Sequence, residues 1–361
     1  MYKPGHILDR YVIRNMLFSY LVVFAVFVGL RIVVDLFTEI DEFTETMLPA
    51  GAVMQNIGSY YGYHIFQYYQ EFAGPIVVFA ALFTLFRIRR ANETIALLSS
   101  GISLYRLLWP VAMVGIVLNS LLIVNQELIF PNIADKLVRT QDNALGNRNV
   151  PVQLQTDGNN ALLLGDLNIL EGTMTDVFLV TRDQWGRMIS LQHSPRAQWN
   201  TSPRRWVMEN TDSLQTSSPE EIEHMSSVSY PTDLSPQELS LRASSEYLRF
   251  QSTSRLVEMS QQPYLRDRMG MDLDLEKHFR FTNPIINVII LLLAAPLITS
   301  REPKSVFLQM VEGLLVVVGA FALAFTCQQL GTGHLRPLMA AWLPVVLFGP
   351  AAVLMLDSVK T

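Results

Sequence analysis

One cysteine, Cys327, stands in 361 residues, and it lies inside an apolar run. Neither a disulfide framework nor a thiolate-ligated metal site is therefore available. Charge is scarce as well: Asp, Glu, Lys and Arg together make up 16% of the chain. The net charge is -5 and no block of Lys and Arg occurs, so the electrostatic footprint of a nucleic-acid binder is missing. No Ser/His/Asp set and no metal-ligand cluster stands at workable spacing, which argues against an enzyme. The phosphate-loop pattern G-x-x-x-x-G-K-[ST] is absent too. If ATP drives this protein, another polypeptide binds it.

What the chain has in excess is apolar residues, which make up half of it. That is more hydrophobic surface than a soluble domain of this size buries, and it points to a membrane protein. A helix crossing the ~30 Å hydrocarbon core needs about 20 mostly apolar residues, because its backbone must satisfy itself. Six stretches qualify: Met16 to Val34, His64 to Phe86, Leu107 to Val124, Phe281 to Ser300, Gly313 to Thr332 and Pro337 to Leu356. The first lacks a small-residue cleavage site and reads as a retained span. Six tyrosines and phenylalanines between Tyr60 and Tyr69 suit an interface, where amphipathic rings sit at headgroup depth.

Orientation follows from Lys and Arg in the connections, which are in excess on the cytoplasmic side. One side collects Lys3, Arg10, Arg14, Arg87, Arg89, Arg90, Arg106, Arg301, Lys304 and Lys360, whereas the opposite short loops, 35–63 and 333–336, hold Arg336 alone. Both termini are expected in the cytoplasm. The first outer loop is acidic, with Asp35, Glu39, Asp41, Glu42 and Glu45.

The chain thus divides into spans one to three (1–124), a polar insert (125–280) placed outside by this topology, and spans four to six (281–361). Short β-favouring pieces in the insert, Ala161 to Leu164, Asp176 to Thr181, Met188 to Gln192 and Arg205 to Met208, are separated by Gly, Asn, Asp and Pro clusters. This is the pattern of an antiparallel sandwich or barrel. Gln215 to Gln237, rich in Ser, Pro and Glu, reads as a long mobile loop. Ser254 to Lys277 reads as a helical lead-in to span four.

Four places invite a functional reading. Arg31 is the one charge within span one, and an intramembrane ionisable residue is a site candidate by default. An i,i+4 pair with Asp35, or snorkelling to the interface, is the alternative. Glu93 opens a short helix, about 91–101, that reads as capped by Asn92, stopped by Gly101 and apolar over much of its circumference. Such a helix needs a partner, although an acid in the first turn also serves as a plain cap. Glu71 and Glu312, isolated near span ends, are candidates for a proton relay or simply reach water. Glu276 with His278 offers two ligands, too few for zinc.

Several motifs resemble the lipopolysaccharide-export permease family, LptF/LptG. They are LDRY at Leu8 to Tyr11, RIRRANETIALLSSGISLYRLLWP from Arg87 to Pro110, NQELIFPNIADK from Asn125 to Lys136, Ala197 with Trp206 and Asn210, and EKHFRFTNP around Glu276, His278, Arg280 and Pro284. The start is somewhat closer to the G-type member. The resemblance implies six transmembrane helices around an inserted, β-jellyroll-like periplasmic domain in the inner membrane. It implies a second permease of the same family, two cytoplasmic ABC ATPase subunits, a periplasmic jellyroll bridge and a lipopolysaccharide or related glycolipid as cargo. It further implies that Arg90, Glu93, Ala96, Leu97 and Gly101 couple to the ATPase, that Arg31 lies where lipid phosphates sit, and that Glu276, His278 and Arg280 form the mouth of span four. Where the family carries a basic cluster just past span one, this sequence has acids. A proton-coupled secondary transporter would instead show buried acids or histidines at mid-membrane and interrupted half-helices. A membrane anchor whose β domain only recruits periplasmic proteins is the third reading.

Overall fold

The computed structural model describes residues 7–44, 50–137, 150–157, 161–168, 171–183, 185–216, 218–232, 234–243, 247–261, 263–299, 305–331 and 335–358. The acids Glu39, Asp41, Glu42 and Glu45, and the basic residues Lys3, Arg301, Lys304 and Lys360, lie outside the residues whose side chains are described. The chain falls into two compact units, one of residues 1–37, 64–131 and 251–361, the other of residues 38–63 and 132–250.

In chain order the elements are α1 (Ile7–Thr44), α2 (Ala50–Arg90), α3 (Glu93–Ser99), α4 (Leu104–Val124), a π-turn (Asn125–Ile129) and α5 (Phe130–Leu137). Six strands follow: β1 (Val150–Thr156), β2 (Leu162–Asn168), β3 (Thr173–Arg182), β4 (Met188–Thr201), β5 (Arg204–Gln215) and β6 (Ser218–Pro231). The chain ends on α6 (Pro236–Ala243), α7 (Tyr247–Phe250), α8 (Thr253–Gln261), α9 (Pro263–Thr299), α10 (Val306–Gly331) and α11 (Pro337–Ser358).

Among the described residues, six helices are long and apolar enough to cross a membrane, and they coincide with the six expected spans. Three run well past the expected limits, α1, α2 and α9, the last beginning at Pro263. The region from 35 to 63, read as a loop, is largely helix: α1 continues to Thr44 and α2 begins at Ala50. At 1.5 Å per residue such helices are about 60 Å long, roughly twice the hydrocarbon core, so hydropathy marks only the stretch that lipid requires.

In this first unit α9 packs against α4, α10 and α11. A polar knot fixes the centre. Asn287 Nδ2 donates to Asn119 Oδ1 at 3.2 Å, and Asn119 Nδ2 donates to the carbonyl of Pro284. Gly74 of α2 lies so close that a Cβ there would fall 2.2 Å from Asn287 Oδ1, so a side chain at 74 would displace the Asn287 amide from Asn119. Between α1 and α2 runs an aromatic seam, with Phe27 5.8 Å from Phe72 and 5.4 Å from Phe79 between ring centroids. Rings at these distances gain beyond their burial.

The second unit is built on one antiparallel sheet whose spatial order equals its sequence order, β1 to β6. The antiparallel expectation holds: the described strands form one hydrogen-bonded sheet. The stretch Gln215 to Gln237 is not a loop: β6 occupies Ser218–Pro231 and pairs with β5 from Gln215 to Arg205. Its serines and glutamates alternate with Ile222, Val228 and Tyr230, and the last two pack on the core. The polar positions are one face of a half-buried strand. Trp206 is the largest wholly buried side chain; its Nε1 donates to the carbonyl of Leu234 at 2.9 Å, and Leu239 of α6 closes the same core.

Candidate functional site

The α3 segment sits where α2 ends. Asn92 does not cap α3 with its side chain; it stands in the left-handed region at φ 58°. The backbone N–H groups of Ala91 and Asn92 donate back to Arg87 and Arg89, so Asn92 terminates α2, a place for which asparagine is second only to glycine. The stop at Gly101 is as expected. Its φ is 79°, its N–H donates to Leu98 O at 3.0 Å and that of Ile102 to Leu97 O at 3.0 Å, which satisfies the last carbonyls of α3.

Three pins hold the segment's base. Tyr11 Oη donates to Glu93 Oε1 at 2.9 Å, Arg87 donates to Asn15 Oδ1, and Arg89 donates to the carbonyl of Ile298 at the end of α9. A cation at a helix C-terminus is favoured by the dipole as well as by the open carbonyls. Glu93 is half-buried, Thr94 is buried, Leu97 is half-buried, and Arg90, Ile95, Ala96 and Gly101 are exposed. Ile95 shows 66% of its surface, an apolar side chain left open beside a fixed carboxylate. Tyr11, the partner of Glu93, belongs to the LDRY motif, but nothing in the sequence spacing links the two.

Arg31 is answered within the chain. Its Nη1 donates to Asp35 Oδ1 at 2.7 Å, Tyr68 Oη donates to Asp35 Oδ2 at 2.9 Å, and the guanidinium lies 5.0 Å from the centre of the Tyr68 ring. Asp35 is 8% exposed, so its charge depends on these partners. The i,i+4 pair is the arrangement present. Glu71 is exposed.

At the third place the structure gathers residues from separate motifs. Arg280, with 3% of its side chain exposed, donates from Nη1 to Glu127 Oε1 at 3.2 Å and to Thr253 Oγ1 at 3.1 Å, and from Nη2 to the carbonyl of Gln251. Glu276 lies 3.9 Å away on the preceding turn of α9. His278 is half-buried, and its carbonyl accepts from Thr282 Oγ1 at 3.1 Å. Among the described residues no three His, Cys, Asp or Glu side chains stand together as metal ligands. Glu127 belongs to the NQEL motif, so the signal was present in the sequence, but nothing in the spacing links it to Arg280.

The family model for the lipopolysaccharide export system permease LptF/LptG matches residues 10–357. No curated protein matches the chain.

Proposed function

The chain belongs to the LptF/LptG family of lipopolysaccharide export permeases, and on that premise we propose that it is the membrane subunit of an ATP-driven export complex. Family membership makes it a multi-pass protein of the inner membrane that takes part in lipopolysaccharide transport. In the reading proposed here, both termini and α3 face the cytoplasm and the six-stranded sheet, a portion of a periplasmic jellyroll, faces outward. Two ATPase subunits dock on α3 and on its counterpart in a second permease of the family. Their closure expels lipopolysaccharide from the outer leaflet of the inner membrane toward a periplasmic bridge. LDRY at Leu8 to Tyr11 favours the G-type role.

The observation that carries this reading is α3 itself. It is only 7 residues long, yet its C-terminal end is closed by the backbone of Gly101 and Ile102 and Glu93 ties it to α1, with Ile95 and Ala96 left open. A helix so short does not hold itself in water and draws its stability from what it packs on. Burying Ile95 against a partner contributes about 1.5–3 kcal/mol, and an arginine of the ATPase reaching Glu93 would add a desolvated ion pair. Tyr11 ties α3 to α1, and Arg89 ties the end of α2, from which α3 leaves, to α9, so a displacement of α3 acts on α1 directly and on α9 through the end of α2.

Affinity for the ATPase in Glu93→Ala and Glu93→Asp tests this. Losing one partner of a desolvated pair costs ~2–5 kcal/mol, a weakening of ~30-fold or more. A capping role alone costs ~1 kcal/mol and is restored by Asp. Unchanged affinity in Glu93→Ala removes the coupling role from α3 and favours the anchor reading.

A further inference from the structure

Two pieces of chain join the sheet-bearing insert to the helical unit. The outgoing piece passes through the π-turn Asn125–Ile129, and the returning piece runs through Gln251 and Thr253 into α8 and α9. π-turns are rare and frequent at functional positions, because the additional residue re-aims the side chains that follow. Here Asn125 and Gln126 are buried, Leu128 is 62% exposed, and Glu127 is turned toward the returning chain. Both its oxygens are used there: Oε2 accepts from the backbone N–H of Thr253 at 3.0 Å, and Oε1 accepts from Thr253 Oγ1 and from Arg280. Arg280 in turn holds Thr253 Oγ1 and the carbonyl of Gln251. Asn125 Nδ2 secures the other side of the turn on Phe66 O at 3.1 Å and Gln70 Oε1 at 2.9 Å, both in α2.

We propose that Glu127 and Arg280 are positioning residues for export, which close the neck of the insert through Thr253 so that both connections follow α4 and α9 as one. The physical ground is the choice of chemistry. Arg280 is buried and Glu127 is a third exposed, and an ion pair with one member desolvated adds little net stability over well-packed apolar residues of the same volume, so a neck that had only to be held shut has a simpler solution. What the pair supplies is direction, through five hydrogen bonds that fix one arrangement of outgoing and returning chain. Four elements meet at these atoms: the π-turn after α4, the start of α8, the loop at Gln251 and the middle of α9.

The inference rests on the export reading, and the test separates the two. The chain is reconstituted in vesicles with its ATPase and a second permease, with lipopolysaccharide as cargo and a photo-crosslinking residue at Phe178 of β3. ATP turnover, lipid captured at position 178 and the melting transition are measured for the unaltered chain, Glu127→Gln and Arg280→Gln. The expected result is a fall in captured lipid of about tenfold in each variant with turnover kept within about twofold, and a double variant no worse than either single one. Capture unchanged overturns the proposal. So does a parallel loss of capture, turnover and melting temperature, which is what a merely structural pin would give. If neither charge variant assembles, Thr253→Val, which removes only the hydroxyl between them, takes their place: a fall in capture of about threefold with turnover retained supports the joint, and no fall overturns it. Failure of the unaltered chain to capture lipid overturns the export reading itself and the joint with it.

Discussion

Arg31 shows what a lone intramembrane charge requires before it can serve a ligand. Its guanidinium is bound to Asp35, and Asp35 is bound again by Tyr68, so the cation enters any lipid contact already neutralised. The sequence offered both the pair and the phosphate contact; the side-chain geometry present is that of the pair. Removing either member leaves the other in a low-dielectric setting, but Arg31 keeps 36% of its side chain exposed, which limits the loss. Arg31→Ala and Asp35→Asn are each expected to cost about 1–2 kcal/mol, and the double variant no more than either. Melting of the purified protein in detergent measures this. If Arg31→Ala leaves melting unchanged and weakens only lipid-stimulated ATP turnover, the residue returns to the ligand side of the account.

At the level of elements, the spans were legible because lipid imposes a single rule on them, and α3 was legible because glycine at Gly101 and the apolar run between two polar stretches fixed its length. The sheet was legible only in pieces, for a reason visible in its backbone. On β3 both Met174 and Val177 face the core, on β4 both Ser194 and Ala197 are buried, and on β5 both Met208 and Thr211 are buried. Each strand changes face at the same level, where Asp176 and Asn210 adopt φ 51° and 49° and Ser194 Oγ donates to the carbonyls of Arg196 and Glu209. A reader looking for period-two alternation loses each strand at that line, so β3, β4 and β5 emerged from the sequence as fragments of 10-, 14- and 12-residue strands. The same line explains Asn210 in the motif with Ala197 and Trp206: asparagine tolerates the left-handed region where a branched residue does not. Asn210→Val is expected to lower the stability of the sheet unit by about 1–2 kcal/mol, while Asn210→Gly leaves it within about 0.5 kcal/mol. The fluorescence of Trp206 during denaturation reports both; equal midpoints for the Val and Gly variants would remove the backbone explanation.

For the whole molecule the open question is which end of the bundle faces the cytoplasm, since the coupling role of α3 and the direction of export both depend on it. The case rests on charge. Arg87 and Arg89, engaged on Asn15 and on the end of α9, stand close to a span end. Arg10, Arg14, Arg87 and Arg90 are exposed near span ends, and Arg89 and Arg106 are half-buried. The cytoplasmic excess of Lys and Arg is counted over residues near span ends, and these meet that condition. The chain also lends itself to a direct test, because its single cysteine, Cys327, is 5% exposed and gives little background with a thiol reagent. Ser100, just past α3, and Ser229, on β6, are both exposed. In spheroplasts, Ser229→Cys is expected to react with a membrane-impermeant maleimide at once, and Ser100→Cys only after the inner membrane is opened. Thr216→Cys, exposed between β5 and β6, serves as a second outward position should Ser229→Cys disturb the strand. Labelling of Ser100→Cys in intact spheroplasts, with both sheet positions protected, would reverse the bundle, put α3 out of reach of any cytoplasmic ATPase and leave the exposed face of α3 for a periplasmic partner.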